Sequence, residues 1–234
     1  EINRIVTDSI ADILWTPSPD GDENLLKEGV PPHKIQRVGN IMIDSLEMLR
    51  DRIEAEKAYE QFDLTSDSYG LVTLHRPANV DNLANLNEIC RILKGIAEKM
   101  PLIFPIHPRT RKNIFEFGLL KELEAVPALR LTEPISYIPF MNLVFNCRFV
   151  LTDSGGIQEE TTYLGIPCFT LRPNTERPIT LTQGTNRLCT LENIEKQIVD
   201  ILTSARKPIE TIDLWDGHTA ERICLSIHRY MGEF

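Results

Sequence analysis

The chain has 234 residues, 42% hydrophobic and 25% charged, which suits one large or two small globular domains with a real buried core. Its formal net charge of -9 argues against nucleic acid or an anionic membrane surface as the main partner, since both select a basic face. The cysteines (Cys90, Cys147, Cys168, Cys189, Cys224) are odd in number and scattered, which argues against a disulfide framework or zinc site and for a reducing cytoplasm.

The first residues fall in a helical pattern, with Ile2, Ile5, Val6, Ile13 and Leu14 on or near one face. A start inside a helix, with no initiator methionine and no signal peptide, predicts a missing upstream segment. "QRVGN" (36–40) reads as an early strand, and the polar stretch 63–68 as a loop. "GLVTLH" (70–75) is a buried strand, followed by an amphipathic helix carrying Leu86, Ile89, Leu93, Ile96 and Met100. "LIFPIH" (102–107) is the next strand, with a helix over roughly 111–125. "LRLTEP" (129–134) is a weaker strand and "YIPFMNLVFN" (137–146) a short helix. "RFVLTD" (148–153), "GIQEETTYLG" (156–165) and "PCFTLR" (167–172) read as strand, helix and strand, and closing helices are expected over 192–204 and 217–232. Strands alternating with helices predict an α/β fold with right-handed crossovers and a parallel sheet covered on both faces. No apolar run approaches the roughly 18 residues that span a bilayer.

"LTDSGGIQEE" (151–160) raises the main chemical question, because it places bare backbone where a buried strand hands over to a helix. Open α/β sheets bind ligands at the carboxyl ends of their strands. A turn through Ser154-Gly155-Gly156 there presents free N–H groups at the positive end of a helix dipole, and glycine lets a phosphate approach closely. Glu160 is wrong for phosphate but suits ribose, whose hydroxyls donate to a carboxylate. The alternative is that the glycines make a tight turn and the glutamates solvate a helix; for Glu159, exposure is expected. His75 and Arg76, His107 and Arg109, and Arg172 and Arg177 stand at equivalent strand ends. Each alone is weak, but together they give one sheet edge the basic character that stabilises a diphosphate. Phe140 is expected in the core unless a base needs a stacking face. Neither a catalytic triad nor metal-ligand spacing is legible, so the two histidines read as donors to phosphate.

"EINR" (1–4), "VGN" (38–40), "TLHR" (73–76), "HPRT" (107–110), "TDSGGIQEE" (152–160) and "LRPNTERP" (171–178) occur in the order seen in the non-hydrolysing UDP-N-acetylglucosamine 2-epimerases, and the chain resembles that family over nearly its whole length. The resemblance implies a Rossmann-like parallel sheet forming one half of a glycosyltransferase-B type architecture. It divides the chain into 1–15, a helix left from a missing N-terminal domain; 16–215, a UDP-binding domain; and 216–234, a helix that folds back on the first domain. Carried over residue by residue, Ser154, Gly155 and Gly156 bind the diphosphate and Glu160 holds the ribose hydroxyls. Phe140 lies by the uracil, and Arg177 near the phosphates. His75 acts on the diphosphate that leaves and returns, with Arg76, His107 and Arg109 as further substrate-binding residues.

The implied reaction interconverts UDP-N-acetylglucosamine and UDP-N-acetylmannosamine by elimination and re-addition of UDP. It needs no cofactor and no metal. The implied partners are UDP and UDP-N-acetylhexosamine, with neither nucleic acid nor membrane, in a cytoplasmic homodimer serving cell-envelope polysaccharide synthesis. Many bacterial relatives read "HRRENH" where this chain has "HRPANV", so Pro77 and Ala78 replace a charged pair. The chain opens inside a "PEE-x-NR" motif, of which only Glu1 remains. The family's acid and base carboxylates belong mainly to the first domain, which predicts that the chain alone is inactive. Alternatives are a glycosyltransferase half, an epimerase for a UDP-diacetamido sugar, or a non-catalytic UDP-sugar binding module.

Overall fold

The structure, a computed structural model, describes residues 2–204 and 211–232; Glu1 lies outside them. The chain divides after Leu49 into two compact units, one from the described residues up to 49 and from 211 on, the other from residues 50–204. The first unit thus takes residues that the sequence boundaries of 16–215 assigned to the nucleotide domain.

In the first unit, helix Ile2–Ile10 leads into strand β1 (Leu14–Thr16), which pairs in parallel with β2 (Ile35–Arg37) across helix Pro19–Lys27. Helix Ile41–Met48 follows, and helix Thr219–Gly232 returns to the same unit. The Asp44 carboxylate accepts from the backbone N–H of Thr219 (3.1 Å) and Ala220 (2.7 Å), satisfying donors that a helix start leaves unpaired. Trp215 donates from Nε1 to the Pro17 carbonyl at 2.9 Å, and Trp15 to Ser226 Oγ at 3.0 Å.

The second unit is built on six parallel strands: β3 (Gly70–Thr73), β4 (Leu102–Pro105), β5 (Leu129–Thr132), β6 (Phe149–Thr152), β7 (Cys168–Leu171) and β8 (Asn186–Cys189). Their order is β5-β4-β3-β6-β7-β8. The chain steps outward from β3 to β5, then returns to the other side of β3 and steps outward again. β3 and β6 therefore flank the point where the winding direction reverses, with Thr73 level with Thr152.

Alternation along the strands puts Val72, Phe104, Phe149, Leu151 and Phe169 on one face with helices Leu83–Ala97 and Ile194–Leu202. Leu71, Ile103 and Val150 on the other face are equally buried. A sheet covered on both sides explains why these strands read as continuous apolar runs. Gly70 makes room for this packing, because a β-carbon there would run into the Phe149 ring and come within 2.8 Å of Leu102 Cδ2.

The expected strands and helices of this unit form, with differences at their ends. The helix expected over 111–125 is two helices, Pro108–Glu116 and Leu120–Glu124, parted at Gly118, whose φ of +74° favours glycine. The strands stop short of their expected ends, so His75, His107, Asp153 and Arg172 fall just beyond the sheet, free to turn their side chains out of its pleat. β8, β1 and helices Pro19–Lys27 and Ile41–Met48 were not anticipated. All five cysteines are free, and only Cys224 is exposed. Among the described residues no helix is long and apolar enough to cross a membrane.

Candidate functional site

The polar residues collect where β3 and β6 end side by side. Thr73 and Thr152 share a hydrogen bond between their hydroxyls (2.7 Å), and Thr152 Oγ1 accepts from the Ser154 N–H at 2.9 Å. The chain then turns through Ser154 and Gly155 into helix Gly156–Leu164, whose start carries no side-chain cap. Its first N–H groups are therefore open to a ligand.

A buried amide supports this turn from beneath. Gln158 donates to the Ser154 carbonyl (2.9 Å), while its own oxygen accepts from Thr175 Oγ1 (2.6 Å) and Asn186 Nδ2 (3.0 Å). Asn186 in turn accepts from Thr170 Oγ1 at 2.6 Å. Neither Gln158 nor Asn186 was singled out from the sequence, because their value depends on β7 and β8 being neighbours.

Arg177 reaches the turn as expected. Its guanidinium covers Gly155, where a methyl group would lie 3.2 Å from Nη1. Arg177 Nε donates to Glu159 Oε2 at 2.7 Å. Glu159 is therefore not the exposed residue anticipated; it is buried and holds Arg177 over the turn. Glu160 is also buried, and accepts from the Tyr137 hydroxyl at 2.9 Å. Burial raises its pKa above the ordinary carboxylate value, the Tyr137 bond opposing this. Phe140 lies three residues after Tyr137 on helix Tyr137–Asn146, half-buried and outside the closed core.

On the β3 side, Asp153 gathers the loop. Its carboxylate accepts from the backbone N–H of His75 and Arg76 and from Asn79 Nδ2, and His75 Nδ1 lies 3.0 Å from it. Arg76 Nε donates to the Asp153 carbonyl at 2.9 Å. The His107 ring stands 5.5 Å from that of His75, and its Nδ1 accepts from the Arg109 N–H, capping helix Pro108–Glu116.

The basic edge expected from the sequence is largely self-neutralised. Arg109 pairs with Asp81 (Nε to Oδ1, 2.7 Å), holding that carboxyl below its usual range. Arg172, nearly buried, donates through both Nη atoms to Glu176 at 2.8 and 2.6 Å and lowers its pKa to about 2. The structure thus brings His75, Arg76, Ser154, Gly155, Gly156 and Arg177 to the two central strand ends, joins His107 to them through His75, and ties Arg109 to Asp81. Among the described residues, no cluster of three or more His, Cys, Asp or Glu side chains could hold a metal ion.

An open parallel sheet in the order 3-2-1-4-5-6, with an uncapped glycine turn at its switch point, defines the class of doubly wound nucleotide-type sheets. The chain belongs to the UDP-N-acetylglucosamine 2-epimerase family, whose profile matches residues 1–228.

It is 40% identical over 230 residues to the UDP-N-acetylglucosamine 2-epimerase of Methanocaldococcus jannaschii, covering 95% of this chain and 62% of the relative. It is 38% identical over 192 residues to the UDP-2,3-diacetamido-2,3-dideoxy-D-glucuronate 2-epimerase of Pseudomonas aeruginosa, covering 80% of this chain and 51% of that one. The crystal structure of the M. jannaschii enzyme in complex with UDP-GlcNAc and UDP superposes with a TM-score of 0.83 at 37% identity, over 98% of this chain and 64% of that one. The chain thus spans less than two thirds of the length of these relatives.

Proposed function

We propose that this chain binds the UDP part of a UDP-N-acetylhexosamine, and that the protein interconverts UDP-N-acetylglucosamine and UDP-N-acetylmannosamine. Gly155 and Gly156 receive the diphosphate on backbone N–H groups and Ser154 through its hydroxyl, with Arg177 and Arg76 as charged donors. Glu160 accepts from the ribose hydroxyls once Tyr137 yields, and Phe140 offers its half-open ring to uracil. His107 stands beside His75 on the substrate side, and Arg109 joins them only if substrate draws it from Asp81.

In the reaction a base takes the proton from C2 of the sugar, and the C1–O bond breaks. The electron pair leaves with the UDP oxygen, and a glycal remains. UDP then adds back at C1 as a proton reaches the opposite face of C2. His75 acts at the diphosphate, holding a proton near the oxygen that departs and returns.

One observation carries the proposal. The fold does not need glycine at 156: its φ is not positive, and a β-carbon there meets nothing within 4 Å. Open space over an uncapped helix start, with Arg177 covering the neighbouring Gly155, leaves room for a ligand, and phosphate is the group such a start favours. Calorimetric titration with UDP and UMP tests it: UDP should bind more tightly than UMP, and equal affinity would remove the diphosphate role of the turn. The Pseudomonas relative makes a UDP-diacetamido sugar the second substrate reading, and turnover of the two sugars by the full-length protein separates them.

A further inference from the structure

We propose that Asp153 is a positioning residue: its buried carboxylate fixes His75 as the Nδ1–H tautomer and so presents Nε2 as the working nitrogen. What Nε2 meets rests on the UDP site proposed above; the 3.0 Å approach of Nδ1 to Asp153 does not.

Asp153 stands one residue beyond Thr152, beside the end of β3, and is 0% exposed. The His75 N–H reaches both its oxygens at 3.1 Å, the Arg76 N–H reaches Oδ2 at 2.9 Å and Asn79 Nδ2 reaches the same oxygen at 3.0 Å. Each of these groups can only donate, so the carboxylate is held as an acceptor. His75 Nδ1 faces Oδ1 at 3.0 Å. A ring nitrogen in that position must bring its own proton, because a lone pair there would oppose the oxygen's.

The free nitrogen is then Nε2, on the opposite edge of a ring whose side chain is 39% exposed. It offers a lone pair when the ring is neutral and an N–H when it is protonated, the two states a group needs to hand a proton to a departing oxygen and take it back. Arg76 is aimed by the same residue, through the Asp153 carbonyl. If Asp153 only pinned the backbone of the loop, the two N–H groups and Asn79 would suffice, and the imidazole would not need to face it.

The test is the tautomer of His75 in the 234-residue chain. It is read by long-range proton–nitrogen correlation on 15N-labelled imidazoles, at a pH where the ring has stopped titrating. The expected result is a protonated Nδ1 and a bare Nε2. A ring carrying its proton on Nε2 would overturn the proposal.

In Asp153→Asn, the amide oxygen must serve the backbone donors, which turns its NH2 toward Nδ1. The Nδ1–H tautomer should be lost there, and its retention in a folded variant would also overturn the proposal. If that variant does not fold, His75→Phe reads the same contact from the other side: the Asp153 Cγ resonance should move, and an unmoved resonance counts against the proposal. A parallel UDP titration keeps the two claims apart. An Nδ1–H ring without UDP binding supports the positioning role of Asp153 and removes only the UDP site.

Discussion

Replacing Gly156 by alanine separates the two roles that the Ser154-Gly155-Gly156 turn could play. If the glycine only shapes a turn, the fold should demand it. The structure shows no such demand, since φ at Gly156 is not positive and an added β-carbon meets nothing within 4 Å. At the first position of a helix, alanine restricts the unfolded chain more than glycine does, so the variant should gain about 0.5 kcal/mol in stability. The same methyl group stands over N–H groups that a phosphate must approach closely. A hydrogen bond to a charged group contributes about 1.5–3 kcal/mol, so losing one should weaken UDP binding about 10- to 150-fold. Urea unfolding gives the first quantity and calorimetric titration the second. Unchanged UDP affinity in a stabilised variant would refute the reasoning, because the open space at Gly156 would then serve no ligand. At Gly155 an added methyl lies 3.2 Å from Arg177 Nη1, so the guanidinium must give by a few tenths of an ångström. Gly155→Ala should therefore lose affinity through Arg177 with little change in stability.

Glu160→Gln should weaken UDP binding by about 1–3 kcal/mol and narrow the preference for UDP over 2′-deoxy-UDP, measured by calorimetry. The same variant should be more stable than wild type at neutral pH and not at acid pH. The raised pKa of Glu160 means the folded chain holds this proton to higher pH than the unfolded chain, so stability falls as pH climbs from the ordinary carboxylate value through the raised one. Glu176 has the opposite sign: its pKa is lowered from 4.5 to about 2, so its contribution is complete above 4.5 and lost as pH falls through about 2. Glu176→Gln should flatten the acid limb of the stability curve in that window, as read by denaturant melts. Gly70→Ala should cost about 1–3 kcal/mol in thermal or urea unfolding, because its methyl overpacks the contact between Phe149 and Leu102.

The central sheet was legible because its strands are buried on both faces and stand as short apolar runs between helical patterns. β8 reads "NRLC", four residues with two polar ones at a sheet edge, and no such run marks it. β1 has three residues, too few to show a period, and β2 (Ile35–Arg37) overlaps the expected "QRVGN" strand only at Gln36 and Arg37. The site residues were legible as types at strand ends: histidines, arginines and a glycine turn. Their relations were not. Asp153 meets His75 across 78 positions because β6 lies beside β3, which only the winding order decides. Glu159 read as solvent-exposed because its helix is polar in composition, yet Arg177, 18 residues on, folds over it. The pairing of Arg109 with Asp81 likewise depends on how two successive strand-end loops meet.

The central claim is that UDP is held by the backbone at the switch point of the sheet. Titrating UDP into the 15N-labelled chain, and following the amides of Ser154, Gly155 and Gly156 with the Arg177 Nε–H, tests it most directly. Saturable shifts should centre on those four groups, with Glu160 and Tyr137 responding only when ribose is present and the turn responding to the diphosphate. Binding that leaves the Ser154-Gly155-Gly156 amides unmoved, or no saturable binding at all, would contradict the account.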